Sequence, residues 1–369
     1  MKLFKPILDA KKVYFYRKFL PYKLFLRHPF HLFNHFRNKA FPIPWFIDFD
    51  ITTRCNLNCS FCYFKNSMNK SRDLTTDEVV NFLNTLKKGT FLVLSGGEPF
   101  IRKDIFQIIR RAKENKLKVG LFTNGLLLNS GKCEEIVNSG LDQILFSIHG
   151  LPHYHDNLTG VKGATDKIME NIALLKSKSK KNKPDIYISC TVTEENVEDI
   201  DKLSSLAESL NIDGFKIEHL NFSPRECMEK HEDESRRFFG DGNGPELHTY
   251  EREYFGSEFS GKIDRLNRFI YKKNFFKSLF LKPVIEGSEI TEWYCGDEEN
   301  LCKKKCPYIL NSLYIFPDGS VHPCQFYRYS LGNIKDTHIY DIWNSQKLKL
   351  FREALKDKLL PGCYRCCKL

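Results

Sequence analysis

The 369-residue chain is 41% hydrophobic, ample for a large core, which excludes disorder throughout. It has no apolar run near the roughly 18 residues of a membrane-spanning helix, and its basic start leads into no apolar signal region. A cytoplasmic chain is expected, and there thirteen cysteines read as metal ligands more readily than as disulfides.

Residues 1–44 mix basic and aromatic residues and are broken by Pro21, Pro29, Pro42 and Pro44, which predicts short interrupted helices. Residues 1–40 hold ten Lys/Arg and one acid, so +9 of the net +11 lies in this segment. Its charge is interleaved with Phe15, Tyr16, Phe19 and Phe25 and with Leu24, Leu26 and Leu32. That pattern suits an anionic membrane surface or a membrane-borne substrate better than nucleic acid, and predicts a peripheral position at the inner membrane face. A basic cap packed on the rest of the chain is the plainer alternative.

From residue 45 strand-like runs recur at 45–51, 90–96, 116–123, 141–148, 185–192 and 213–220, with helical patterns between them. The first helix opens with a Thr75/Glu78 capping box, and Gly140 marks a helix end. Six strands alternating with helices give a parallel α/β sheet over 45–221, either open or a partial barrel. Alternation along the strands turns Asp48, Asp50, Tyr187, Ser189, Thr191, Lys216 and Glu218 toward one polar interior face. Asp50, nearest the first loop, is the candidate catalytic contact. Residues 222–294 lose the rhythm and read as a linker or insertion with a few helices. Residues 295–369 hold seven of the thirteen cysteines and form a second unit.

The loop after the first strand reads CNLNCSFC, with thiols at Cys55, Cys59 and Cys62. Three thiolates on one loop can cap three irons of a [4Fe–4S] cubane and leave the fourth open; a zinc site borrowing a distant fourth ligand is the alternative. The sequence SGGEP (95–99) ends the second strand, TNG (123–125) the third and SIHG (147–150) the fourth. All four lie where α/β folds gather their chemistry. Near the C-terminus, Cys306 and Cys324 flank a Pro317-Asp318-Gly319 hairpin, and Cys363 and Cys366 follow as C-x₂-C. Those four could hold a second cluster or a zinc ion.

These motifs resemble the radical S-adenosylmethionine (SAM) superfamily, and Cys306-x₁₂-Gly319-x₄-Cys324 with the final C-x₂-C resembles its SPASM/twitch extension. The resemblance implies a partial (β/α)6 barrel with a small C-terminal cysteine-rich twitch-like domain carrying one auxiliary [4Fe–4S] cluster. It implies that Cys55, Cys59 and Cys62 hold the SAM cluster. Gly96, Gly97 and Glu98 would meet the SAM amino group, and Asn124 and Ser147 its sugar and carboxylate side. Cys306, Cys324, Cys363 and Cys366 would hold the auxiliary cluster, with Cys295 or Cys302 able to replace Cys306 and Cys367 able to replace Cys366. His149 stands where the family usually has Asp, and is expected at the surface. The implied reaction is hydrogen abstraction from an unactivated C–H bond, fed by a reducing partner such as flavodoxin or ferredoxin. A peptide or protein substrate is expected, with a small-molecule or lipid-linked intermediate as the alternative. A non-catalytic metal-binding or electron-transfer protein is the competing class.

Overall fold

The computed structural model describes residues 40–369, apart from 63, 65–71, 180–183, 241–245, 248, 273–278, 284, 286 and 297–299. The expected membrane contact of residues 1–40 therefore lies almost wholly outside the described residues. Among these, no helix is long and apolar enough to cross a membrane.

Each expected strand forms: β1 (Phe46–Asp50), β2 (Phe91–Ser95), β3 (Lys118–Thr123), β4 (Gln143–Ser147), β5 (Asp185–Val192) and β6 (Gly214–His219). They pair in sequence order, all parallel. The connecting helices include α1 (Thr76–Thr85), α2 (Ile105–Glu114), α3 (Ser130–Asn138), α4 (Pro152–Thr159), α5 (Ala164–Lys178) and α6 (Ile200–Ser209). Helix α1 starts at the expected capping box, in which Thr75 and Glu78 satisfy each other's backbone N–H. Helix α2 buries Ile105, Ile108, Ile109 and Ala112, a stripe at helical spacing that covers the outer face of the sheet. Ile47 and Phe49 fill that face from β1, both fully buried. Parity along the strands thus sorts an apolar outer face from a polar interior one.

The sheet is larger than six strands. Within 222–294, α7 (Arg225–Phe239), β7 (Glu246–Leu247), α8 (Ser257–Lys272), β8 (Leu279–Lys282) and α9 (Ser288–Cys295) form, and β8 adds in parallel beside β6. At the other edge β9 (Ser312–Ile315) pairs in parallel with β1, then β10 (Ser320–His322) pairs antiparallel with β9. The order β12-β10-β9-β1-β2-β3-β4-β5-β6-β8 makes one ten-stranded, partly open sheet, where β12 is Gly332–Asn333. The hairpin turn falls at Gly319 as expected. Its φ of +87° needs glycine, and a Cβ there would lie 2.7 Å from Asn333 Oδ1. Beyond β11 (Tyr327–Arg328), α10 (Ile339–Trp343) and α11 (Gln346–Ala354) pack the end of the chain. Tyr308 donates to Asp48 Oδ2 at 2.6 Å and Trp343 Nε1 to the Phe41 carbonyl at 2.9 Å, tying this unit to the start of the barrel.

Candidate active site

The C-terminal ends of β1 to β6 open onto a cavity of about 310 Å³. Cys55, Cys59 and Cys62 line it from the β1 loop, with Gly96 and Gly97 from the β2 loop, Asn124 from the β3 loop and Ser147 from the end of β4. The β1 and β2 loops are zipped together. Gly97 N–H donates to the Thr52 carbonyl at 2.9 Å and Glu98 N–H to the Arg54 carbonyl at 2.8 Å. From behind, the buried Arg102 guanidinium donates to the Ile51 and Leu74 carbonyls, and Asp73 accepts from Thr52 Oγ1 and Thr53 N–H. The cysteine loop therefore leaves β1 from a fixed platform. Cys55 Sγ accepts the Leu57 N–H at 3.4 Å, a contact suited to a thiolate that holds metal.

Glu98 behaves differently from the expectation that it meets a ligand. It is fully buried and absent from the cavity wall. Its carboxylate accepts from Thr123 Oγ1, Asn124 N–H and Phe100 N–H at 2.8–3.0 Å, so it fixes the β3 loop. Burial pushes its pKa from 4.5 up to about 7, against the pull of those hydrogen bonds. An acid whose folded pKa is raised binds its proton more tightly folded than unfolded. Stability should then fall as pH rises from about 4.5 to about 7, by about 3 kcal/mol from this group. Urea denaturation across that window should show Glu98→Gln gaining on wild type by this amount as pH rises. Parallel pH curves for the two proteins would contradict the assignment.

The interior face is polar as parity predicts: Asp48, Ser189, Thr191, Lys216 and Glu218 line the cavity. Lys216 pairs with Glu218 at 2.7 Å, and Glu218 also accepts from Ser189 Oγ at 3.2 Å. Tyr187 lies deeper, fully buried and off the cavity wall. Asp50 also does not reach the cavity. It accepts from Ser95 Oγ at 2.8 Å and from the Tyr314 hydroxyl, and is fully buried beneath them. Burial lifts its pKa to about 6. The interior carboxylate that does reach the wall from β1 is Asp48, one turn of the pleat earlier, in an ion pair with Lys368 at 3.0 Å.

His149 is likewise not a surface histidine. It lines the cavity, with its ring edge-on to Phe61 at 4.9 Å. Its Nδ1 accepts the Thr191 N–H at 3.2 Å, which leaves the ring proton on Nε2. Desolvation first, then the neighbouring His155, lowers its pKa to about 3, so it is neutral. Lys368 is a site residue that the motifs did not reveal, and Cys367 and His149 stand on this cavity's wall instead of in the places expected of them. Only the pinned chain end and the fold of the β4 loop bring them in.

A second, smaller cavity lies under the C-terminal unit, lined by Cys306, Cys324, Cys363 and Cys366. Its thiols have donors nearby: Lys368 N–H to Cys366 Sγ at 3.3 Å, and the Tyr327 hydroxyl 3.1 Å from Cys363 Sγ. Cys295 and Cys302 stand off this wall, Cys295 against Ser260 Oγ at 3.1 Å. Among the described residues no three Cys, His, Asp or Glu side chains converge tightly enough for one metal ion. Four thiolates on one wall could cap a cubane or hold a tetrahedral zinc ion. Cys133, Cys190 and Cys227 are buried apart from both cavities.

Comparison with known proteins agrees with this geometry. The Radical SAM superfamily matches residues 49–207, and the SPASM iron–sulfur cluster-binding domain matches residues 306–367. An AdoMet-dependent heme synthase of Methanosarcina barkeri is 29% identical over 88% of this chain and 88% of its own. A pre-heme d1 synthase of Dinoroseobacter shibae is 29% identical over 86% of this chain and 78% of its own. The crystal structure of Streptococcus suis SuiB bound to precursor peptide SuiA superposes with a TM-score of 0.60. That likeness, at 17% identity, covers 89% of this chain and 71% of SuiB, and shows a shared fold.

Proposed function

Since the chain is a radical SAM enzyme with a C-terminal SPASM/twitch-like iron–sulfur domain, we propose that Cys55, Cys59 and Cys62 hold a [4Fe–4S] cluster whose open iron takes SAM. Once bound, this pair supplies a 5′-deoxyadenosyl radical that abstracts hydrogen from an unactivated C–H bond. One observation carries the proposal: the three thiols share a single cavity wall with Gly96, Gly97, Asn124 and Ser147. The glycines let the β2 loop close against the backbone of the cysteine loop, Asn124 and Ser147 offer polar contacts to a ligand, and neutral His149 adds an Nε2–H donor. The buried Arg102 and Glu98 hold the loops that carry these groups. We assign Cys306, Cys324, Cys363 and Cys366 to an auxiliary cluster, supported by their common cavity. A flavodoxin or ferredoxin would supply electrons.

For the substrate we propose a peptide, the class bound by SuiB, whose fold this chain shares. A second reading, a carboxylated tetrapyrrole, is favoured by the relatives named for heme synthesis and by Lys216 and Lys368 on the cavity wall. Anaerobically reconstituted enzyme given SAM and reductant should release 5′-deoxyadenosine. Coproporphyrin III should raise that release severalfold if the second reading holds and leave it unchanged if the substrate is a peptide. No release under any condition would contradict the radical chemistry itself. Contact of residues 1–40 with an anionic membrane is proposed from their charge and aromatics.

A further inference from the structure

Cys366 and Cys367 are neighbours in sequence but belong to different cavities. Cys366 lines the small cavity with Cys306, Cys324 and Cys363. Cys367 lines the large one with Cys55, Cys59 and Cys62. Four thiols complete the auxiliary set and three the SAM-cluster set, so Cys367 is needed by neither. Among the described residues it is the only other thiol on the large cavity's wall.

Its position is built from both sides. On one side Arg365 is 2% exposed, with its guanidinium donating to the Trp293 and Glu292 carbonyls. On the other, Lys368 reaches Asp48 on β1 and sits over the Tyr308 ring at 5.0 Å. Between these anchors Cys367 has little freedom to turn away. Its thiol is hydrogen-bonded to that of Cys366 at the border of the two cavities, and Glu218, Lys368 and Lys216, all on the large cavity's wall, are its charged neighbours.

Resting on the radical chemistry proposed above, we infer that Cys367 is the hydrogen-atom donor of this cavity. A thiol S–H bond is weaker than an alkyl C–H bond, so a carbon radical formed beside it takes the hydrogen. In that step the S–H bond breaks homolytically, a C–H bond forms on the substrate, and a thiyl radical remains on Cys367. One electron from a reduced ferredoxin or flavodoxin and one proton from solvent then restore the thiol. The substrate leaves with its oxidation state unchanged, so the reaction is an isomerisation at carbon and not a net oxidation.

The test needs no substrate, because without one the 5′-deoxyadenosyl radical is itself the carbon radical formed in the cavity that Cys367 lines. Reconstituted wild type, Cys367→Ala and Cys367→Ser are each incubated anaerobically in D₂O with SAM and titanium(III) citrate. Cys367 then carries deuterium on sulfur, and the 5′-deoxyadenosine released by wild type should be mostly singly deuterated. That fraction should fall severalfold in both variants; serine keeps the side-chain shape, but its O–H bond is too strong to donate. Equal deuterium in all three proteins would overturn the role while leaving SAM cleavage intact. No 5′-deoxyadenosine from wild type would overturn the radical chemistry and this role with it. Iron content supplies a second readout. Cys367→Ala should keep about eight irons, those of two cubanes, whereas Cys366→Ala should fall toward about four. The reverse pattern would make Cys367 a cluster ligand and overturn the donor role.

Discussion

Alanine at Cys55, Cys59 and Cys62 together will reduce release of 5′-deoxyadenosine to background and leave about four irons of an original eight in the protein. The two sets of thiols are built by different parts of the chain. The first three sit on the β1 loop and open into the large cavity, whereas the other four come from 306–366 and line the small one. Phe326 and Lys368 line both cavities and stand between the two sets, while Cys62 packs against a separate buried group of Phe64, Tyr314 and Phe316. Losing the β1-loop ligands therefore leaves the hairpin and the C-terminal turn with their own contacts. Iron and acid-labile sulfide analysis, with 5′-deoxyadenosine measured chromatographically, reads both halves of the expectation. Release equal to wild type would remove these cysteines from the chemistry. Loss of all iron would mean that the two sites do not load independently.

How far the sequence reveals this molecule depends on the range of the interaction. The six parallel strands and their helices are local: each needs only its own alternation, cap and turn, and Thr75, Gly140 and Gly319 do there what their types predict. The loop motifs fall at the strand ends because a parallel sheet puts every such end on one side. What sequence hides is pairing across long separations. β9 joins β1 from some 265 residues away, and no local period announces it. That strand brings Tyr314 over Asp50, which is why Asp50 is covered while Asp48, on the same strand face, is open to the cavity. β8 is short and lies inside a stretch without rhythm, so its place beside β6 is set by tertiary packing. Cys366 and Cys367 are indistinguishable as residue types; only the pinned chain end separates their surroundings.

Alanine at Gly97 will cost the enzyme at least about a hundredfold in 5′-deoxyadenosine release, although it adds one methyl group. Gly97 has an ordinary φ, so its need for glycine is purely one of space. A Cβ there would lie 2.1 Å from the Arg54 carbonyl oxygen, 2.6 Å from its carbon and 3.1 Å from Cys55 N. These are backbone atoms and cannot turn aside as a side chain can. They are also the atoms on which the two loops are zipped, since the same Arg54 oxygen accepts the Glu98 N–H. Relief requires the chain at Arg54–Cys55 to move by about an ångström, and such a displacement at reacting groups typically costs about two orders of magnitude. Cys55 moves with it, and with Cys55 one corner of the cluster site. Gly131→Ala is the matched control: it lies in α3, its Cβ would meet nothing nearer than Asn129 Oδ1 at 3.6 Å, and alanine favours a helix. It should keep wild-type activity. If Gly97→Ala stays within threefold of that control, the close approach of the β2 loop to the cysteine loop is not what sets the geometry of cleavage.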